Sequence, residues 1–193
     1  MNINKPSLGI VWLKRDLRLN DHEPLHSALK ENRQVLLLYV FEIIFAQDPH
    51  YSSRHFDFIK QSLLNLNKQL ENYNTEVLIS QGRVINIFEE INETYNINKL
   101  YSHQETGLDI TFTRDKSVKK WCSSESISWK EFNQQGVFRR MTNRKKWLSK
   151  WTELMNKTQF SISESPNSFL PKNKIESLSK FLVTPSLETK TFP

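Results

Sequence analysis

The stretch IVWLKRDLRLNDHEPL, from Ile10 to Leu25, leaves an apolar run for a cluster of charge: Lys14, Arg15, Asp16, Arg18, Asp21, His22 and Glu23. Side chains of both signs at this spacing can close on one another as a salt-bridged turn, or present donors and acceptors to something outside. A second set, His103, Gln104 and Glu105 in YSHQETG, offers groups suited to the polar edge of a heterocycle, or to capping the next helix. A third lies between Val137 and Trp151, where Arg139, Arg140, Arg144, Lys145, Lys146 and Lys150 stand without one acidic residue. That run can meet phosphate, or form a solvated helix face.

Other chemistry is not expected. The histidines at 22, 26, 50, 55 and 103 contain no HExxH pattern, and a metal site is not predicted. Cys122 is the only cysteine, so no internal disulfide can form, and it reads as a small hydrophobe on a helix face. No GxGxxG opens a helix after the first strand, and no GxxxxGK[ST] occurs. A dinucleotide fingerprint and a P-loop are therefore both missing. No residue is assigned a catalytic role.

The elements that must position these groups follow from periodicity. Gly9–Leu13, Gln34–Glu42, Glu76–Ser80, Lys99–His103 and Ile127–Phe132 read as strands. Amphipathic stretches alternate with them. In the longest, Phe56, Ile59, Leu63, Leu66, Leu70 and Tyr73 share one helical face, and in the one after the fourth strand Phe112, Asp115, Val118 and Cys122 do. The pattern predicts an α/β fold: a Rossmann-like, doubly wound, five-stranded parallel sheet with helices on both faces. Ligands of such sheets sit beyond the carboxyl ends of the strands, at a switch in strand order. Both the Lys14–Arg18 turn and the His103–Glu105 loop fall on that edge.

At 193 residues and 37% hydrophobic content the chain can bury one ordinary core. Its longest apolar run, VLLLYVF, is far short of the roughly 20 residues of a membrane helix. No secretory signal is visible at the N-terminus, and a cytoplasmic location is expected. Residues 1–156 form the expected domain. Residues 157–193, rich in Pro, Ser and Lys, read as an extended linker that packs against something else.

VWLKRDLRLNDHEPL resembles the first strand and turn of the N-terminal domain of DNA photolyases and cryptochromes. LLLYVFE, SSRHFDFIKQSLLNLNKQL, LYSHQETG, TFTRDKSVKKWC and QQGVFRR follow in that domain's order, over about residues 7–155. The resemblance implies a two-part protein: this α/β domain, and a helical domain, absent here, that holds FAD and meets the damaged, flipped-out base. With FAD confined to that C-terminal domain, the isolated chain is expected to lack repair activity. In many members the N-terminal domain carries a second, antenna chromophore that passes excitation energy to FAD.

Carried over residue by residue, Lys14, Arg15, Asp16, Phe41, Arg54, His103, Gln104 and Glu105 become the candidate antenna contacts. Phe41 would stack on the ring, and Arg54 heads the long helix beside it. Folate-binding members place an Asn-Glu pair where this chain has Ile110 and Thr111. A flavin or deazaflavin antenna, or none, is therefore expected ahead of folate. Arg139, Arg140, Lys145 and Lys146 are candidates for contact with nucleic acid or with the helical domain, the expected partners being that domain and, through the whole protein, damaged DNA. Trp147, Leu148, Trp151, Leu154 and Met155 share a helix face expected to be buried against the sheet or the second domain. Two other readings stay open: a stand-alone flavin- or nucleotide-binding module, and a DNA-binding accessory protein.

Overall fold

The computed structural model describes residues 5–134, 136–139, 141–162 and 168–185. Five strands, β1 (Ser7–Leu13), β2 (Val35–Phe41), β3 (Val77–Gln81), β4 (Asn96–His103) and β5 (Ser128–Phe132), pair in parallel in the order β3-β2-β1-β4-β5. The chain winds outward from β1 to β3, then returns to β4 on the other side of β1. The switch in strand order thus falls between β1 and β4, where the charged turn and the His103 loop leave the sheet.

Helices cover both faces, as parallel pairing requires. On one side α1 (Glu23–Glu31) and α3 (Ser53–Leu70) bury Leu25, Ala28, Leu29, Phe56, Leu63, Leu66 and Leu70 against Val11, Leu37, Tyr39 and Val77. On the other, α4 (Val84–Thr94) and α5 (Asp109–Ser124) bury Ile87, Phe88, Ile91, Val118 and Cys122 against Ile10, Trp12, Leu38 and Leu100. β2 is buried at every position, as its unbroken apolar sequence predicts. Burial pushes the Cys122 thiol up to about 12, consistent with an inert core residue.

Two glycines past strand ends hold backbone that a side chain would strain: Gly82 at φ 146° and Gly107 at φ 132°. A short helix α2 (Ile43–Ala46) follows β2.

Three expectations need adjustment. Phe112, expected on the buried stripe of α5, is 45% exposed, and Thr111 takes the inward place. Part of the segment expected to run as a linker is built into the domain: Phe169, Leu170 and, from α7 (Lys172–Ser179), Ile175 and Leu178 join the two cores. Leu170 N–H donates to Val35 O at 2.8 Å, and Thr75 Oγ1 donates to Leu170 O at 2.7 Å. Its apolar residues are sparse, and Phe181 and Val183 stay exposed, but Phe169, Leu170, Ile175, Leu178 and Leu182 are buried. Finally, α6 (Trp147–Met155) buries none of its side chains and is not laid on the sheet. Arg140 lies outside the described residues, as do Leu187 and the C-terminal Thr191, Phe192 and Pro193.

Candidate functional site

Asp16 sits where β1 ends and is almost fully buried. Its Oδ1 accepts the Lys14 backbone N–H at 2.8 Å. Its Oδ2 lies 2.5 Å from His103 Nδ1 and 2.7 Å from His22 Nε2. His22 Nδ1 accepts Leu25 N–H at 3.0 Å, capping α1, and its Nε2 stands 2.7 Å from Asp16 Oδ2 without hydrogen-bond geometry. Burial alone would raise the Asp16 pKa, but the close contacts with His103 and His22 hold it well below the ordinary value. Burial lowers the His103 pKa, with Asp16 opposing.

Asp16, His22 and His103 are the right residue types for a metal. Their geometry is wrong for one: both nitrogens lie at hydrogen-bond distance from a single oxygen, and the side chains are 0 to 4% exposed. Ligands of a first-row ion stand about 2.0–2.2 Å from it, not in direct contact with each other. The triad is a structural lock joining β1, β4 and α1.

Beside it runs a buried network of alternating charge. Lys14 Nζ donates to Asp115 Oδ2 at 3.0 Å and to His103 O at 3.2 Å. Arg114 donates through Nη1 to Glu42 Oε1 at 2.9 Å, and through Nη2 to Asp115 Oδ1 at 2.9 Å. Both cations also stand over the Trp12 ring, Lys14 Nζ at 4.2 Å and Arg114 Cζ at 4.6 Å from its centroid, where the π face favours positive charge. Burial lowers the Lys14 pKa against the pull of Asp115, and raises that of Glu42 against Arg114. Three carboxylates, Glu42, Glu105 and Asp115, thus face two buried cations, and Arg15 and Arg139 supply further positive charge from the rim.

Above this floor a cleft of about 530 Å³ opens at the carboxyl ends of β1 and β2, within the usual range for small-molecule sites. Tyr39, Phe41, Phe45, Tyr51 and Phe56 give it an aromatic wall. Tyr51 packs at 5.1 Å from Phe45 and at 5.9 Å, nearly parallel, from Phe56. Arg15, Arg18 and His50 bring cationic or titratable groups to the lining, and Glu105 brings a carboxylate. A second, wider cleft of about 880 Å³ lies between α5 and β5, and Glu105 and Leu108 line both.

The expected site residues divide accordingly. Lys14, Arg15, Asp16, Phe41 and Glu105 line the aromatic cleft. Gln104 lines the second cleft instead, and His103 lies beneath, in the Asp16 lock. Arg54 is exposed on the first turn of α3, outside the cleft lining; Tyr51 and His55 occupy the lip. Arg139 is engaged by Glu131 and by the carbonyl of Glu105, whereas Lys145 and Lys146 are exposed. Sequence reasoning missed Tyr39, Glu42, Tyr51 and Arg114. The one visible signal was Asp115 inside the apolar stripe of α5, an acid that burial makes conspicuous.

A doubly wound parallel sheet with helices on both faces is a Rossmann-like α/β fold, and here its carboxyl edge carries an aromatic-walled cleft. Residues 9–157 match the DNA photolyase family model, and the chain belongs to that family. It is 31% identical over 120 residues to cryptochrome DASH of Synechocystis sp., a match spanning 60% of this chain and 24% of that protein. It is 24% identical over 122 residues to cryptochrome-1 of Erithacus rubecula, covering 62% and 19%. The fold is shared with the Synechocystis sp. PCC6803 cryptochrome structure (TM-score 0.73, 24% identity, 95% of this chain and 40% of that one). It is shared too with an archaeal photolyase from Sulfolobus tokodaii whose structure holds two FAD molecules (TM-score 0.69, 18% identity, 95% and 44%). The chain spans about a quarter or less of the length of the curated relatives it matches. Among the described residues no helix is long and apolar enough to cross a membrane.

Proposed function

We propose that this chain is the antenna domain of a photolyase or cryptochrome and holds a flavin or deazaflavin in the aromatic cleft. The observation that carries the reading is the wall of Tyr39, Phe41, Phe45, Tyr51 and Phe56 beside the polar groups of Arg15 and Glu105 in one cleft. Flat aromatic heterocycles are held by such stacking surfaces and oriented by a few polar groups. When bound, the antenna supplies excitation energy to a catalytic FAD held by a helical domain outside these residues. The chain's own residues bind the ring, exclude water from it, and fix its orientation. The Asp16 lock and the Arg114 network keep the ends of β1, β2 and β4 in register beneath it. Light-driven repair of damaged DNA or blue-light signalling belongs to the whole protein, and the isolated chain is assigned neither.

The partner surface in this reading is α6. Its exposed side carries Leu148 and Met155, 63% and 49% exposed. An apolar face of this kind favours contact with the helical domain over nucleic acid, with Lys145 and Lys146 at its margin. The Sulfolobus tokodaii photolyase, with its two FAD molecules, supports a flavin in the antenna role. Gel filtration of the purified chain after incubation with FMN tests the proposal: flavin absorbance eluting with the protein at one equivalent is expected. Elution of all flavin in the free fraction contradicts it.

A further inference from the structure

Glu105 is held more firmly than a loop residue usually is. Its carbonyl accepts two hydrogen bonds from Arg139, at 3.1 and 2.5 Å, and its side chain is only 5% exposed. Yet Oε2 is buried and accepts no hydrogen bond among the described residues. Its near neighbour is Arg15 Nε at 3.4 Å, an ion-pair contact without hydrogen-bond geometry, while Oε1 lies 3.8 Å from Arg114 Nη2. A buried carboxylate oxygen lacking a donor is costly and calls for a partner. Arg15 is the movable member, with its side chain 44% exposed. Both residues line the aromatic cleft.

Resting on the antenna reading above, we propose that the Arg15–Glu105 pair selects the ligand by its cyclic imide edge. Glu105 Oε2 takes the ring N–H, and the Arg15 guanidinium, shifted from its present contact, donates to an adjacent ring carbonyl. One acceptor next to one donor complements an imide, in which N–H and C=O are neighbours. A pterin has a carbonyl on only one flank of its ring N–H and an amino group on the other, so it satisfies Arg15 in one orientation where an imide does so in two. The pair thus favours flavins and deazaflavins, which share the imide, over folates. Neither side chain alone carries this discrimination.

Equilibrium binding to the 193-residue chain, followed by ligand fluorescence, tests it with riboflavin, 5-deazariboflavin, 3-methylriboflavin and folic acid. The imide N–H is replaced only in 3-methylriboflavin, which should bind at least about tenfold more weakly than riboflavin, the effect of losing one hydrogen bond to a charged acceptor. Glu105→Gln should shrink that difference, because a neutral amide oxygen is the weaker acceptor. The tighter of riboflavin and its 5-deaza analogue identifies the ring the site prefers. Equal binding of riboflavin and 3-methylriboflavin by the unaltered chain would overturn the selection role while leaving the cleft a flavin site. Tighter binding of folic acid than riboflavin would also overturn it. Saturable binding of none of the four would overturn the antenna reading itself.

Discussion

His103 Nδ1 lies 2.5 Å from Asp16 Oδ2, bridging the ends of β1 and β4 across the switch in strand order. The same oxygen faces His22 at 2.7 Å, so one carboxylate orders three elements. Asp16→Asn keeps the shape but removes the charge and replaces one acceptor oxygen by a donor. Loss of about 2–4 kcal/mol is expected, read from the urea midpoint. A variant as stable as the parent would show that the lock contributes nothing.

Acidification should release the same lock. The His103 pKa is lowered from 6.5 in the folded chain, so the unfolded chain binds more protons just below pH 6.5. Its contribution is present above that value and is lost as pH falls through the lowered folded value. Asp16, depressed from 3.8, contributes stability that is present above 3.8 and lost at still lower pH. Urea unfolding of the parent should therefore weaken between pH 7.5 and 5.5 more than that of His103→Gln. Parallel pH profiles would refute the assignment.

Gly9 shows where a single methyl group matters. A Cβ there would lie 2.6 Å from Asn32 Cγ, and Asn32 Nδ2 is committed to Ala28 O at 2.8 Å and Tyr101 Oη at 2.9 Å. Gly9→Ala should cost about 1–3 kcal/mol through overpacking. In an Asn32→Ala background the obstruction is gone and most of that cost should vanish, so a double-mutant cycle should give a coupling of about 1 kcal/mol or more. Additive effects would place the strain elsewhere.

Leu170 is fully buried although it lies in the segment that reads as a linker. Leu170→Ala should destabilise the domain by about 2–5 kcal/mol, measured by chemical or thermal unfolding. An unchanged midpoint would return the segment to linker status.

Much of the fold was legible because its strands and helices announce themselves by period. VLLLYVF can only be a central strand, and the Phe56 to Leu70 stripe can only be one helix face. Lys14, Arg15, Asp16 and Glu105 could be placed at the cleft from the sequence because charge at a strand end is conspicuous. Tyr39 and Tyr51 were not, since nothing local separates an aromatic that lines a cleft from one that fills a core. Arg54 illustrates the converse: a charge at a helix start looks functional, but side-chain direction on the first turn sends it to solvent. The place of His103 beside Asp16 and His22 was hidden, because it reaches them only when β4 lies beside β1. Long-range pairing of that kind leaves no trace in spacing.

Binding of riboflavin to the parent chain, Tyr51→Ala and Arg54→Ala, by fluorescence titration, tests the antenna cleft most directly. The cleft predicts one saturable site in the parent, about tenfold or greater weakening on removing the Tyr51 ring, in line with the 1–3 kcal/mol typical of aromatic stacking on a heterocycle, and little change on removing Arg54. Absence of saturable binding, or binding that depends on Arg54 and ignores Tyr51, would contradict it.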